Sequence, residues 1–308
     1  MIFLMLLALI AVVAPFLAGD VPILMKKDGR TFLFPNAIGY NALISVDFGT
    51  WRPSAANGEW AVWPPIPFSP YRTDLFKVLE KPGRTHLLGT DNVGRDVLSR
   101  LIWGARISMT VGFVAMGISV AIGVLLGCLA GYYGGWADAV ILRVIEVVLC
   151  FPLFILILAI MAFLPPSIYN VMVVLGLFGW TSIARLVRGE FLKLRESDFA
   201  TAARATGLTD ARIMFRHLLP NALSPVLVAA TFGVASAILA ENALTFLGFG
   251  VPPPAASWGQ LLSQAYVYLF RGAWWLVVYP GLAIFATVTA FNLVGEGLQD
   301  AMDPRLRQ

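Results

Sequence analysis

The chain has 308 residues, 58% hydrophobic and 13% charged, with a mean hydropathy of +0.78, a net charge of +4 and a pI near 9.2. That balance is too apolar for an ordinary soluble globular protein and points to one membrane-integral domain. Its basic residues cluster beside apolar runs and form no soluble basic face, so a bilayer charge bias accounts for them and no nucleic-acid partner is expected.

Residues 2–18 form an apolar run directly after Met1. It lacks the basic flank and cleavage site of a secretory signal, so an uncleaved first span over 1–18 is expected. Residues 19–107 are rich in Pro, Trp and charge, with WPPIPFSPYRTD at 63–74 as the strongest loop signal. A short strand is expected in KDGRTFLFP, where Asp28-Gly29 marks a turn. At 93–106 the apolar positions Val97, Leu98, Leu101, Ile102 and Ala105 recur at helical spacing, which predicts a helix lying on the bilayer.

Five further apolar runs follow at about 108–132, 138–163, 168–187, 221–246 and 274–296, for six spans in total. Pro152 is expected to break or kink the third within the bundle, and Pro165-Pro166 to turn the chain into the fourth. Gly112, Gly117, Gly123, Gly127 and Gly131 in the second span predict close helix packing. Cys128 and Cys150 are expected as small core residues. Two Cys and two His supply neither a disulfide framework nor a metal site, and no cofactor is expected.

Residues 185–216 carry Arg185, Arg188, Lys193, Arg195, Arg204, Arg212 and Arg216, whereas 247–273 carry only Arg271. The basic loop therefore reads as cytoplasmic, which places both termini inside and 19–107 outside; the eleven Lys and Arg of that long segment do not oppose this, because long loops translocate largely regardless of charge. Within residues 190–220, burying each Arg or Lys at a helix centre costs about 2.5–3.5 kcal/mol, so the stretch stays in water. Ser197 or Asp198 is placed to cap a helix over 198–206, Gly207 to close it in the left-handed conformation, and a second helix is expected from Thr209 or Asp210 up to Pro220. Phe199, Ala202 and Ala203 give the first helix a smooth face suited to a groove on another protein, with Arg204 beside it for an acidic rim. The plainer alternative is a solvated basic loop whose alanines reflect helix propensity alone.

The spacing Ala202-Ala203, three residues, Gly207, nine residues, His217, one residue, Leu219-Pro220 resembles the coupling motif of bacterial ABC-importer permeases. Thr201 stands where that motif has Glu, and His217 where it has Ile. HLLGTDNVGRDVLSRLIWGARIS (86–108) and ENALTFLGFGVPPPAASWG (241–259) resemble stretches of the C-type permease subunit of dipeptide and oligopeptide importers. Residues 19–85 are similar to variants of that subunit with an enlarged outer loop, which would either contact a binding protein or cover the outer mouth.

The resemblance implies an all-α membrane protein with the ABC-importer permease fold: six transmembrane helices and a long external loop after the first. Its domains would be 1–18, the external segment 19–107, and a core over 108–308 that carries the cytoplasmic coupling loop 190–220. It implies a multi-pass protein of the bacterial cytoplasmic membrane, in contact with lipid. The implied partners are a second homologous permease as heterodimer, two cytoplasmic ABC ATPases and an external peptide-binding protein. The coupling residues would be Asp198, Phe199, Ala202, Ala203, Arg204, Gly207, Leu219 and Pro220. The sequence holds no Gly-x-x-x-x-Gly-Lys-Ser/Thr loop, so ATP hydrolysis falls to the partner subunits and the chain itself is no enzyme. An importer of nickel or another small solute shares these motifs, and a non-transporting membrane receptor or scaffold is the alternative of a different class.

Among single residues, Glu241 is an ionisable group at membrane depth and a candidate for translocation or gating; an interfacial carboxylate beside Asn242 is the plainer reading. Arg143 and Glu146, three apart, are expected to form an ion pair. Asp91, Arg95 and Asp96 lack a nucleophile or base and read as helix-capping and contact residues, not catalytic ones. Trp258, Trp274 and Trp275 read as interfacial aromatics.

Overall fold

The computed structural model describes residues 1–302, most of them helical. Its elements are α1 (Ile2–Leu17), β1 (Leu24–Lys27), β2 (Arg30–Leu33), β3 (Trp60–Val62), α2 (Val97–Tyr133), α3 (Gly135–Leu149), α4 (Leu153–Met161), α5 (Ile168–Leu194), α6 (Asp198–Ala205), α7 (Asp210–Arg212), a π-helical stretch Ile213–Leu218, α8 (Leu219–Phe246), α9 (Trp258–Leu269) and α10 (Trp275–Met302). Four helices are long and apolar enough to cross a membrane: α2, the continuous run Asp210–Phe246, α5 and α10. The pair α3 and α4 adds a fifth if taken as one span. The apolar α1 has 16 residues, about 24 Å of helix against a hydrocarbon core of about 30 Å.

Of the break or kink expected at Pro152, the structure has the break. α3 and α4 are bent by 77° at residues 150–152. Proline brings no N–H to the ladder and its ring pushes the preceding Phe151 out of the helical region, so two rules act at one point. Cys128 is buried as expected, but Cys150 sits in this break and is exposed.

Two compact units make up the chain. One comprises Met1–Met109 and Thr245–Phe285; the other comprises Thr110–Leu244 and the chain from Ala286. In the first unit, Asp28 and Gly29 both have positive φ, 48° and 75°, as a two-residue hairpin turn requires, and they pair Lys27 with Arg30. The expected strand is thus β2, one edge of a three-stranded antiparallel sheet in the order β2-β1-β3. Met25, Phe32 and Leu43 form its small core, packed by Tyr40, Val46, Phe48 and Trp51.

No separate interfacial helix occupies 93–106. α2 starts at Val97 and runs 37 residues without interruption, and Asp96 caps it by accepting from the Ser99 amide at 2.7 Å. These first turns are held by polar groups that face protein. Asp91 Oδ2 accepts from Arg95 Nε at 2.7 Å and lies 3.6 Å from Arg100 Nε. Arg95 and Arg100 donate in turn to Gln264 Oε1 and Gln260 Oε1 of α9, each at 2.9 Å. Arg100 has no exposed surface, so the helical spacing that suggested a lipid surface instead marks a buried polar knot. Trp258 and Trp275, read as interfacial, are 1% and 2% exposed, and their indoles donate to Leu101 O and Thr90 O.

In the second unit, α2 lies against α5 along a glycine stripe. A Cβ on Gly123, Gly127 or Gly131 would stand 2.5–2.7 Å from Ile183, from Ala184 O and Val187, or from Phe191. Gly112 is equally tight against Ile238 of α8, whereas Gly117 has nothing within 4 Å. Close approach therefore explains four of the five predicted glycines. Gly127→Leu is expected to lower stability by about 1–3 kcal/mol through overpacking, and Gly117→Ala to be neutral or stabilising. Thermal unfolding of the purified protein in detergent checks both; equal effects would contradict the stripe.

Candidate functional site

The polar insert grows out of the end of α5. Ser197 is the N-cap residue of α6 by position, yet its hydroxyl donates backwards to Leu194 O at 2.5 Å and gives α6 no side-chain cap; Asp198 lies in the first turn, at the positive end of the helix dipole. α6 ends as expected. Gly207 has φ +75°, and the Gly207 and Leu208 amides return to Arg204 O and Ala203 O. A substituent at Gly207 would meet no neighbour within 4 Å, so only backbone conformation calls for glycine there.

Ala200 is fully buried and Ala203 is half-buried, while Phe199, Ala202 and Arg204 are exposed, Phe199 by 43%. The predicted smooth face therefore presents an aromatic ring and a small residue to the outside. Arg204 is anchored by a 2.7 Å bond from Nη2 to Arg195 O.

The second insert helix does not stop before Pro220. It runs from Asp210 through the π-helical stretch Ile213–Leu218 into α8, and the Leu219 amide donates five residues back to Met214 O. A wider turn just ahead of Pro220 gives the ring room and removes the need for its missing N–H. Leu219 is half-buried and Pro220 exposed; Ile213, Met214 and Leu218 point inward. The insert is thus continuous with a span on its C-terminal side.

Contacts that sequence reading missed fasten this insert. Tyr132, at the end of α2, donates to Asp210 Oδ1 at 2.7 Å, and Arg195 Nη1 donates to Gly131 O at 3.3 Å. Arg188 of α5 holds Asp138 of α3 through two bonds of 2.5 and 2.7 Å. These partners are 50 to 78 residues apart and carry no periodic signal. The expected Arg143–Glu146 pair forms at 2.7 Å on an exposed face.

Glu241 of α8 is fully buried, next to Asn242, whose Nδ2 donates to Ile238 O. It follows Ala240, which lines a cavity of about 340 Å³ among α2, α4, α5 and α8 in the second unit. Small groups dominate part of that wall: Ser119, Gly179, Ser182, Gly233 and Ser236. Asp91 and Asp96 are buried in hydrogen bonds to backbone, Arg95 and His86, in keeping with capping and contact roles. Among the described residues no group of three or more His, Cys, Asp or Glu is placed to hold a metal ion.

Long apolar helices interrupted by one polar, anchored insert define a multi-span membrane component. Residues 123–308 match the family described as binding-protein-dependent transport system inner membrane component, and the chain belongs to that family. It is similar to the dipeptide transport system permease protein DppC of Alkalihalophilus pseudofirmus, 42% identical over 74% of this chain and 75% of that one. The glutathione transport system permease protein GsiD of Pectobacterium atrosepticum is 40% identical over 76% and 77%. Among solved structures, the MetNI methionine ABC transporter in inward-facing conformations superposes with a TM-score of 0.51 at 20% identity, over 65% of this chain and 97% of that one, a likeness of fold alone. The protein is an ABC-transporter permease, a transport component of the inner membrane with several spans.

Arg188→Met is expected to lower stability by about 1–3 kcal/mol, the range for hydrogen bonds to a charged partner. The exchange Asp138→Arg with Arg188→Asp should recover only part, because Asp138 also occupies the first turn of α3. Thermal unfolding of the two variants beside the parent protein reads this; an unchanged Arg188→Met protein would contradict it.

Proposed function

We propose that this chain is one half of a heterodimeric permease in an ATP-driven importer of dipeptides and oligopeptides. The observation that carries the reading is the anchored insert, with Phe199 and Ala202 exposed on a helix joined by Arg204 and Arg195 to α5 and by a continuous helix to α8. Such a helix seats in a groove on a cytoplasmic ATPase, and closure of two ATPases then rocks the spans between outward and inward access. Asp198, Ala203, Gly207, Leu219 and Pro220 complete the coupling surface by holding its start, spine and hinge points. The peptide class is supported by dipeptide and glutathione permeases among the relatives.

In this reading α1 is the first of six spans, α3 and α4 together the third, and residues 19–107 lie outside with both termini inside. The basic residues of 185–216 against Arg271 alone in 247–273 support that orientation. The small-walled cavity beside Ala240 is this subunit's share of the passage, and buried Glu241 is its gating group. An external binding protein delivers the cargo.

Replacing residues 198–207 by a Gly-Ser linker of equal length is expected to abolish copurification of the ATPase subunits and peptide uptake, while the chain still reaches the membrane. Affinity purification and uptake of a radiolabelled dipeptide are the measurements. Retained ATPases together with retained uptake would defeat the coupling assignment.

A further inference from the structure

Within the first unit lies a second, chemically different cavity of about 680 Å³, walled by the segment 48–77 and by residues 20, 86, 94 and 96. Its volume falls inside the range of small-ligand sites. Arg52, Arg72 and Lys77 stand in its wall together with Asp20, Asp74 and Asp96. A dianion would meet the three carboxylates and a cation would meet the three basic groups; a zwitterion satisfies both signs.

The wall is built. Gly49 allows the Arg72 guanidinium to lie directly on the backbone, where a Cβ would coincide with it, and Arg72 Nη1 donates to Asp47 Oδ1 at 2.9 Å. Asp47 also accepts from the Gly49 amide, and these bonds, that from Arg72 above all, hold its carboxyl below the usual carboxylate range. Arg52 is fixed over the same turn by bonds to Gly49 O and Trp51 O. Deeper in the wall, His86 is 4% exposed and meets Asp96 through Nδ1 at 2.9 Å.

Asp20 and Lys77 make no side-chain hydrogen bond or ion pair among the described residues, so both charges remain for a ligand. We propose that this cavity binds a short peptide through its two free termini, the carboxylate taken by Lys77 with Arg52 and the ammonium by Asp20. The cargo class and the outward placement of the cavity rest on the import reading. The site would hold peptide on the permease itself, at the outer side, before entry to the spans.

The test uses the complete transporter complex in lipid nanodiscs without its external binding protein, with radiolabelled tri-alanine as probe and equilibrium dialysis as readout. Acetylating the amino terminus or amidating the carboxyl terminus is expected to weaken retention about tenfold or more, the loss of one charge-assisted contact. Asp20→Asn should erase the penalty for acetylation alone, and Lys77→Met the penalty for amidation alone. Neither side chain supports the fold by a bond, so these variants are expected to remain folded, and a matching thermal-unfolding midpoint verifies it. No retention, indifference to the blocked termini, or unchanged discrimination in both variants overturns the proposal. So does a result in which the variants weaken capture of the binding protein while tri-alanine retention stays the same. Peptide uptake by the same complex with its binding protein separates the two readings: uptake without terminus-dependent retention defeats the cavity alone, and retention without any peptide uptake defeats the import reading alone.

Discussion

Charge cannot be placed cheaply in hydrocarbon, and the arrangement of this chain follows from where that constraint falls. Lys193, Arg195, Arg204, Arg212 and Arg216 together would cost on the order of ten kcal/mol or more at bilayer depth. The insert therefore stays in water, and the apolar helices on both sides are free to be long. Once outside the bilayer, its own short helices have no lipid to pack against. Bonds to helix ends hold them instead: Tyr132 to Asp210, Arg195 to Gly131 and Arg204 to Arg195.

That anchoring is what the proposed coupling role requires of the insert. On one side the insert leaves α5 through Arg195; on the other it enters α8 with no break between Asp210 and Phe246. The π-helical turn at Ile213–Leu218 lets the chain pass Pro220 without losing continuity. Under the proposed coupling, a displacement at α6 would pass to the spans through the helix that starts at Asp210. The Asp138–Arg188 pair ties α3 to α5, and the glycine stripe packs α2 against α5.

Much of this was readable beforehand because it rests on local rules. Asp28-Gly29 specifies a tight turn, Gly207 a left-handed cap, and the spacing of Gly123, Gly127 and Gly131 a close helix contact. What escaped was non-local or ambiguous in period. Residues 97–106 carry an apolar stripe with arginines opposite, a pattern common to helices on lipid and helices that bury a paired charge; only Gln260 and Gln264, some 160 residues away, decide between them. At Pro152 the sequence allows either a break or a kink, and the 77° bend is a break. Of the candidate site, the exposed face of α6 and the cap at Gly207 were visible in the motif, while its anchors Tyr132 and Asp210 were not, since a tyrosine and an aspartate 78 residues apart leave no pattern.

The central claim is that α6 is a water-side contact for a cytoplasmic motor. A single cysteine at Ala202, in a chain with Cys128→Ala and Cys150→Ser, tests it most directly through labelling with a membrane-impermeant maleimide and crosslinking in whole membranes. The account predicts labelling in inverted vesicles and not in intact cells, together with a crosslink to an ATPase subunit. Labelling from outside the cell, or failure to label from either side, would contradict it.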